Sequence, residues 1–106
     1  MSGHVIIIPA DDALPITSRD TDTQPEAHEI REIIGGWLEA VPHWTDYMGM
    51  PAVAFCNEDG KRLQLPINLR ATSLWARKCG VGVHQLGDVL VGNVVLLVNL
   101  PDEVQV

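Results

Sequence analysis

An α+β domain is the expectation from the sequence: a mostly antiparallel sheet of about five strands, with one or two helices packed on one face. Three observations carry it. Strand-like apolar runs lie near the start, the middle and the end of the chain, at residues 5–8, 51–57 and 89–100. Two stretches between them, 25–34 and 68–78, repeat their apolar residues at helical spacing. Asn57-Glu58-Asp59-Gly60 reads as a tight hairpin turn, which a wholly parallel sheet does not contain. With 106 residues, 46% of them apolar, the chain is expected to be one domain spanning 1–106 with a globular composition.

Each element has a local reason. Val5-Ile6-Ile7-Ile8 is continuous and β-branched, as a well-buried strand requires, and Pro9 with Asp11-Asp12 ends it. Residues 10–24 read as a loop carrying a short edge strand at 14–18, where Pro15 suits an edge, and 19–24 as polar loop. The first helix is expected to place Pro25 at its first position after Thr23 or Gln24, with Ala27, Ile30, Ile33 and Ile34 on one face. Gly35-Gly36 stops it. Residues 37–43 alternate as a strand, and 43–50 form a loop of large side chains.

Residues 51–57 are the next strand. A turn follows with Gly60 in the left-handed position, and 62–65 return as a strand. Asn68 caps the second helix, 68–78, with Arg70, Ser73 and Arg77 on one face and Ile67, Ala71, Leu74 and Trp75 on the other. Gly80 and Gly82 end it. Residues 89–100 look apolar on both faces, so they suit a central strand, with a bend at Gly92-Asn93. Asp102 and Glu103 are expected in solvent.

The net charge of −7 disfavours direct nucleic-acid binding and an anionic membrane surface. It is unevenly spread: Lys61, Arg62, Arg70, Arg77 and Lys78 fall in 60–87, where no acid occurs, while acids dominate elsewhere. No apolar stretch approaches the roughly 18–20 residues of a membrane span. Met1-Ser2-Gly3-His4 lacks the basic start of a secretory signal. A cytoplasmic location follows as the expectation, with Cys56 and Cys79 as free thiols.

No residue pattern points to catalysis. Cys56, Cys79, His43 and His84 lack the close pairs of a zinc site, so neither metal nor cofactor is expected. Asp11-Asp12 and Glu58-Asp59 are adjacent turn acids rather than an acid–base pair in two environments. Three clusters suit binding. Trp44, Tyr47 and Met48 are side chains common in interface anchors. Asn57 and Asn68 flank polar loops that form a ligand rim or, more simply, serve as turn and cap. Arg70 and Arg77 stand two helical turns apart, a spacing that suits a phosphate-bearing ligand.

Three blocks, IGGWLEAVP at 34–42, CNEDGK with LPIN at 56–68, and GDVLVGNVVL at 87–96, together resemble a domain-of-unknown-function family of small proteins from actinobacteria, their phages and mobile elements. The resemblance spans 26–98 and carries no catalytic residues. It implies a phage or plasmid accessory gene acting in a bacterial cytoplasm. The functional expectation is a non-enzymatic protein that engages a host or phage macromolecule through Trp44, Tyr47 and Met48. The alternatives are a binder or sponge for a nucleotide or other phosphate-bearing ligand, and an acidic DNA mimic. A homo-oligomer is compatible with each.

Overall fold

The computed structural model describes residues 3–100, so Asp102 and Glu103 lie outside the described residues. The elements in order are β1 (Gly3–Ile8), β2 (Thr17–Thr21), α1 (Ala27–Ile34), β3 (Leu38–Ala40), β4 (Asp46–Tyr47), β5 (Met50–Asn57), α2 (Leu69–Lys78), a 3-10 turn (Val83–Gln85) and β6 (Val94–Val98). The fold is α+β. Its six-stranded antiparallel sheet runs β2-β1-β6-β5-β3, with β4 pairing on β5.

β6 is the central strand and every residue of it is buried, as its two apolar faces require. Alternation along it separates two cores. Val94, Leu96 and Val98 pack with Ile6, Ile8, Ala54, Ala71 and Trp75 on the α2 side. Val95 and Leu97 pack with Val5, Ile30, Ile34, Leu38 and Phe55 on the α1 side. Each sheet face therefore carries one helix.

The helix ends follow their local chemistry. α1 starts later than Pro25 because Glu26 is its cap, and Glu29 Oε1 accepts from the Glu26 N–H at 3.4 Å. Gly35 closes it at φ +84°, a left-handed conformation that glycine adopts without strain. Asn68 caps α2 by accepting from the Ala71 N–H at 3.0 Å.

Several expectations are corrected. The edge strand is Thr17–Thr21, not 14–18, so its second half occupies residues read as loop. A turn with Leu14 N–H donating to Asp11 O holds residues 11–14 out of the sheet. No strand forms at 62–65; residues 58–64 coil as turns. Near its end, β5 is flanked by β3 through Ala40↔Phe55 and by β6 through Phe55↔Val95, which leaves no edge for a returning strand. Gly60 is not left-handed; Gln64 is, at φ +56°. Gly60 is needed for space, because a Cβ there would stand 2.7 Å from Val91 Cγ2. β3 ends at Ala40 rather than 43. Ile67, expected on the buried face of α2, is exposed and bridges to Val91 ahead of the helix.

Candidate functional site

The residues singled out in the sequence separate into two groups. Asn57 and Asn68 are buried and structural. Asn57 Oδ1 accepts from the Asp59 N–H at 2.8 Å, and its Nδ2 donates to Ile34 O at 3.4 Å. Asn68 Nδ2 donates to Ile8 O and Gly92 O at 2.8 and 2.9 Å. Both side chains are buried and turned to backbone groups of the fold, which is turn and cap chemistry.

The aromatic loop and the basic helix face, by contrast, meet. The β4–β5 hairpin places Tyr47 and Met48 against the last turns of α2. There Trp44, Tyr47, Met48, Leu74, Arg77 and Lys78 line a depression of about 400 Å³. A second, of about 380 Å³, adjoins it along the helix and is lined by Ile16, Leu69, Arg70, Ser73, Leu74 and Arg77. Leu74 and Arg77 belong to both, so the outer face of α2 is one continuous apolar and basic surface. Leu69, Leu74 and Lys78 were not among the residues expected here. The sequence places Leu74 with Ala71 and Trp75 on the buried face of the helix, and nothing local shows that the hairpin borders it.

Trp44, which the sequence offers as an apolar anchor without fixing its exposure, lies in the interior. Its side chain is only 2% exposed and belongs to the α2-side core. Met48, at 80% exposure, is the true surface apolar residue of the loop. Tyr47 is half-buried.

The cations on this face differ in what they already hold. Arg70 Nη2 donates to Pro9 O at 2.8 Å and to Asp11 O at 3.1 Å, and its Nε lies 3.6 Å from Asp12 Oδ1. It clasps the β1–β2 connection and is not a free phosphate arm. Lys78 Nζ is 3.0 Å from Asp46 Oδ2. Arg77 is exposed and, among the described residues, makes neither an ion pair nor a side-chain hydrogen bond.

The chain matches a protein family along nearly its whole length, residues 2–105. It is a member of the family described as a domain of unknown function, DUF3846. The match extends beyond the 26–98 spanned by the three sequence blocks, and so takes in β1 and β2 of the DUF3846 fold. Neither the curated proteins nor the solved structures include a match to this chain.

A further cleft in this DUF3846 chain is smaller, about 150 Å³, and opens between the end of β5 and residues 88–91. Glu39, Cys56, Glu58, Lys61 and Asp88 line it. Its volume is below the roughly 300 Å³ of an ordinary ligand pocket, and its acids outnumber Lys61, which is paired with Asp88. An anion is disfavoured there. Among the described residues, no group of three or more His, Cys, Asp or Glu side chains is placed to hold a metal ion.

Titration here has a predictable sign. Burial, reinforced by the Glu39 charge, pushes the Cys56 thiol from 9.0 up to about 11. The folded state therefore holds that proton more tightly than the unfolded chain. Its contribution is complete below pH 9.0 and is lost as pH rises through about 11. Asp88 moves the other way: the hydrogen bond from Lys61 holds its carboxyl below 3.8, so its contribution fades as pH falls beneath that value. Alkylation of Cys56 by iodoacetamide should be slow at pH 8 and accelerate up to about pH 11. Peptide mapping measures it, and a Cys56 rate at pH 8 equal to that of a free cysteine peptide contradicts the assignment.

Proposed function

We propose that this chain is a non-enzymatic accessory protein of phage or mobile-element type. It acts in a bacterial cytoplasm by capturing a host or phage protein on the α2–hairpin face. The sequence blocks that resemble small proteins of actinobacteria and their phages support the setting. No helix of the described residues is long and apolar enough to cross a membrane, in keeping with an aqueous compartment.

Met48 is the observation that carries the reading. Tyr47 pairs with Met50, so Met48-Gly49 is a two-residue hairpin loop. Both residues have positive φ, +49° and +81°, the conformation of a type I′ turn. Asparagine, aspartate or glycine suits the first position, whereas an ordinary L-residue in the left-handed region costs about 1–2 kcal/mol. Met48 bears that strain while 80% exposed, so its side chain returns almost no burial to the fold. A residue that costs stability and sits on the lip of an apolar depression fits a docking contact. Methionine is also the adaptable side chain of such surfaces.

The phosphate-ligand reading has less support, because Arg70 is committed to backbone carbonyls and the Lys61 cleft is acidic. Met48→Asn tests the docking reading by separating function from folding. Creating Asn-Gly in the turn should stabilise the chain by about 1 kcal/mol, a Tm rise of about 4–8 °C. The same variant should lose a bacterial protein that the wild-type chain retains in affinity capture. A partner held equally by both chains, or a lowered Tm, overturns the reading.

A further inference from the structure

Two buried side-chain donors on the α2 side lack a hydrogen bond: Arg70 Nε, which lies 3.6 Å from Asp12 Oδ1, and Trp44 Nε1, which has no such charge beside it. Trp75 Nε1 donates to Pro42 O at 2.8 Å, Thr72 Oγ1 to Asn68 O at 2.7 Å, and Asn68 Nδ2 to two carbonyls. Trp44 Nε1 is buried and makes no hydrogen bond among the described residues. A buried donor without an acceptor costs about 1–3 kcal/mol, so such donors are rare in native folds. Trp44 lines the depression under the hairpin, and so does Arg77, the cation of this face without a counter-ion among the described residues. Tyr47, Met48 and Leu74 supply the apolar walls between them.

Trp44, whose buried indole N–H has no acceptor, and Arg77, a cation without a counter-ion among the described residues, therefore line one largely apolar depression. We propose that it receives a carboxylate carried on an apolar stem: an acidic residue, flanked by apolar ones, of the partner protein. This rests on the docking role of the α2–hairpin face. A charge-assisted bond from Arg77 holds the anion, and the indole N–H of Trp44 gains the acceptor that the fold does not provide. The depression, about 400 Å³, is large enough for such a side chain with its apolar neighbour. A phosphate suits it less. Lys78, the second cation, is already paired with Asp46, and that carboxylate at the rim disfavours a doubly charged group.

Sodium hexanoate carries this chemistry in its simplest form, with hexanamide as the neutral isostere and inorganic phosphate as the anion without a stem. The probe is added to the intact chain while the assigned Trp44 indole N–H resonance is followed by heteronuclear NMR. Hexanoate should shift that resonance in a saturable way at millimolar concentration, and hexanamide and phosphate should not. Arg77→Gln should weaken hexanoate binding about tenfold or more, since a hydrogen bond to a charged group is removed. Absence of a shift, an equal shift with hexanamide or phosphate, or unchanged affinity in Arg77→Gln overturns the proposal. If hexanoate fails while partner capture still depends on Met48, only the carboxylate assignment falls. If hexanoate binds and capture ignores Met48, the docking reading falls and the depression stands as a carboxylate site.

Discussion

Replacing Asn68 by alanine is expected to lower Tm by about 15–20 °C. The side chain is fully buried and satisfies three backbone groups from three parts of the fold. Its amide donates to Ile8 O at the end of β1 and to Gly92 O before β6, and its oxygen caps α2 at the Ala71 N–H. Its main chain extends the same network. Asn68 N–H donates to Leu90 O, and Thr72 Oγ1 donates to Asn68 O while accepting from the Leu90 N–H. Alanine removes a cap worth about 1 kcal/mol and strands two buried carbonyls and an N–H, for a total of about 3–5 kcal/mol. Against a typical stability of about 5–15 kcal/mol, that is a large fraction. Asn68→Asp separates the causes. It keeps the volume and the capping oxygen but turns the donors into an anion facing two carbonyls, so it should be at least as damaging. Thermal unfolding followed by circular dichroism measures both variants, and a wild-type Tm for Asn68→Asp contradicts the role given to the amide.

Trp44→Ala is expected to cost a similar amount, about 3–5 kcal/mol, as removal of a buried aromatic leaves a large cavity. The sequence alone offered Trp44 as one of three residues that engage a partner. At 2% exposure within the α2-side core, Trp44 cannot be truncated without loosening the packing around Val41, Ala54 and Trp75. Loss of partner capture by Trp44→Ala would therefore report unfolding. Trp44→Phe keeps most of the apolar volume and removes the N–H, which makes it the informative variant for the carboxylate. A shift of less than about 1 kcal/mol in the denaturation free energy of Trp44→Ala would show that the indole is not a core side chain.

Residues whose state is set by their own neighbourhood were legible. Gly35 ends α1 because only glycine enters the left-handed region freely, and Asn68 caps α2 because its side chain mimics a missing carbonyl. The stretch 89–100 declared a central strand by being apolar on both faces, although only Val94–Val98 of it forms the strand. The misread elements depended on partners distant in sequence. The segment 62–65 has a strand-like start after an apparent hairpin turn, yet both sides of β5 are taken by β3 and β6. Trp44 and Met48 stand four positions apart in one loop, and composition does not tell which is inside.

The sequence by itself determined the fold class, the Gly35 stop of α1, the Asn68 cap of α2, the presence of a central strand within 89–100 and the segregation of basic residues into 60–87. These follow from short-range sterics, local hydrogen bonding and the alternation of apolar side chains. Tertiary structure alone decided that α1 and α2 cover opposite faces, that Arg70 clasps the β1–β2 connection, and that the hairpin bearing Met48 borders Leu74 and Arg77. Each of these depends on long-range strand pairing. Antiparallel pairing of β5 with β6 and β4 fixes where the hairpin lies, and no local preference carries that information.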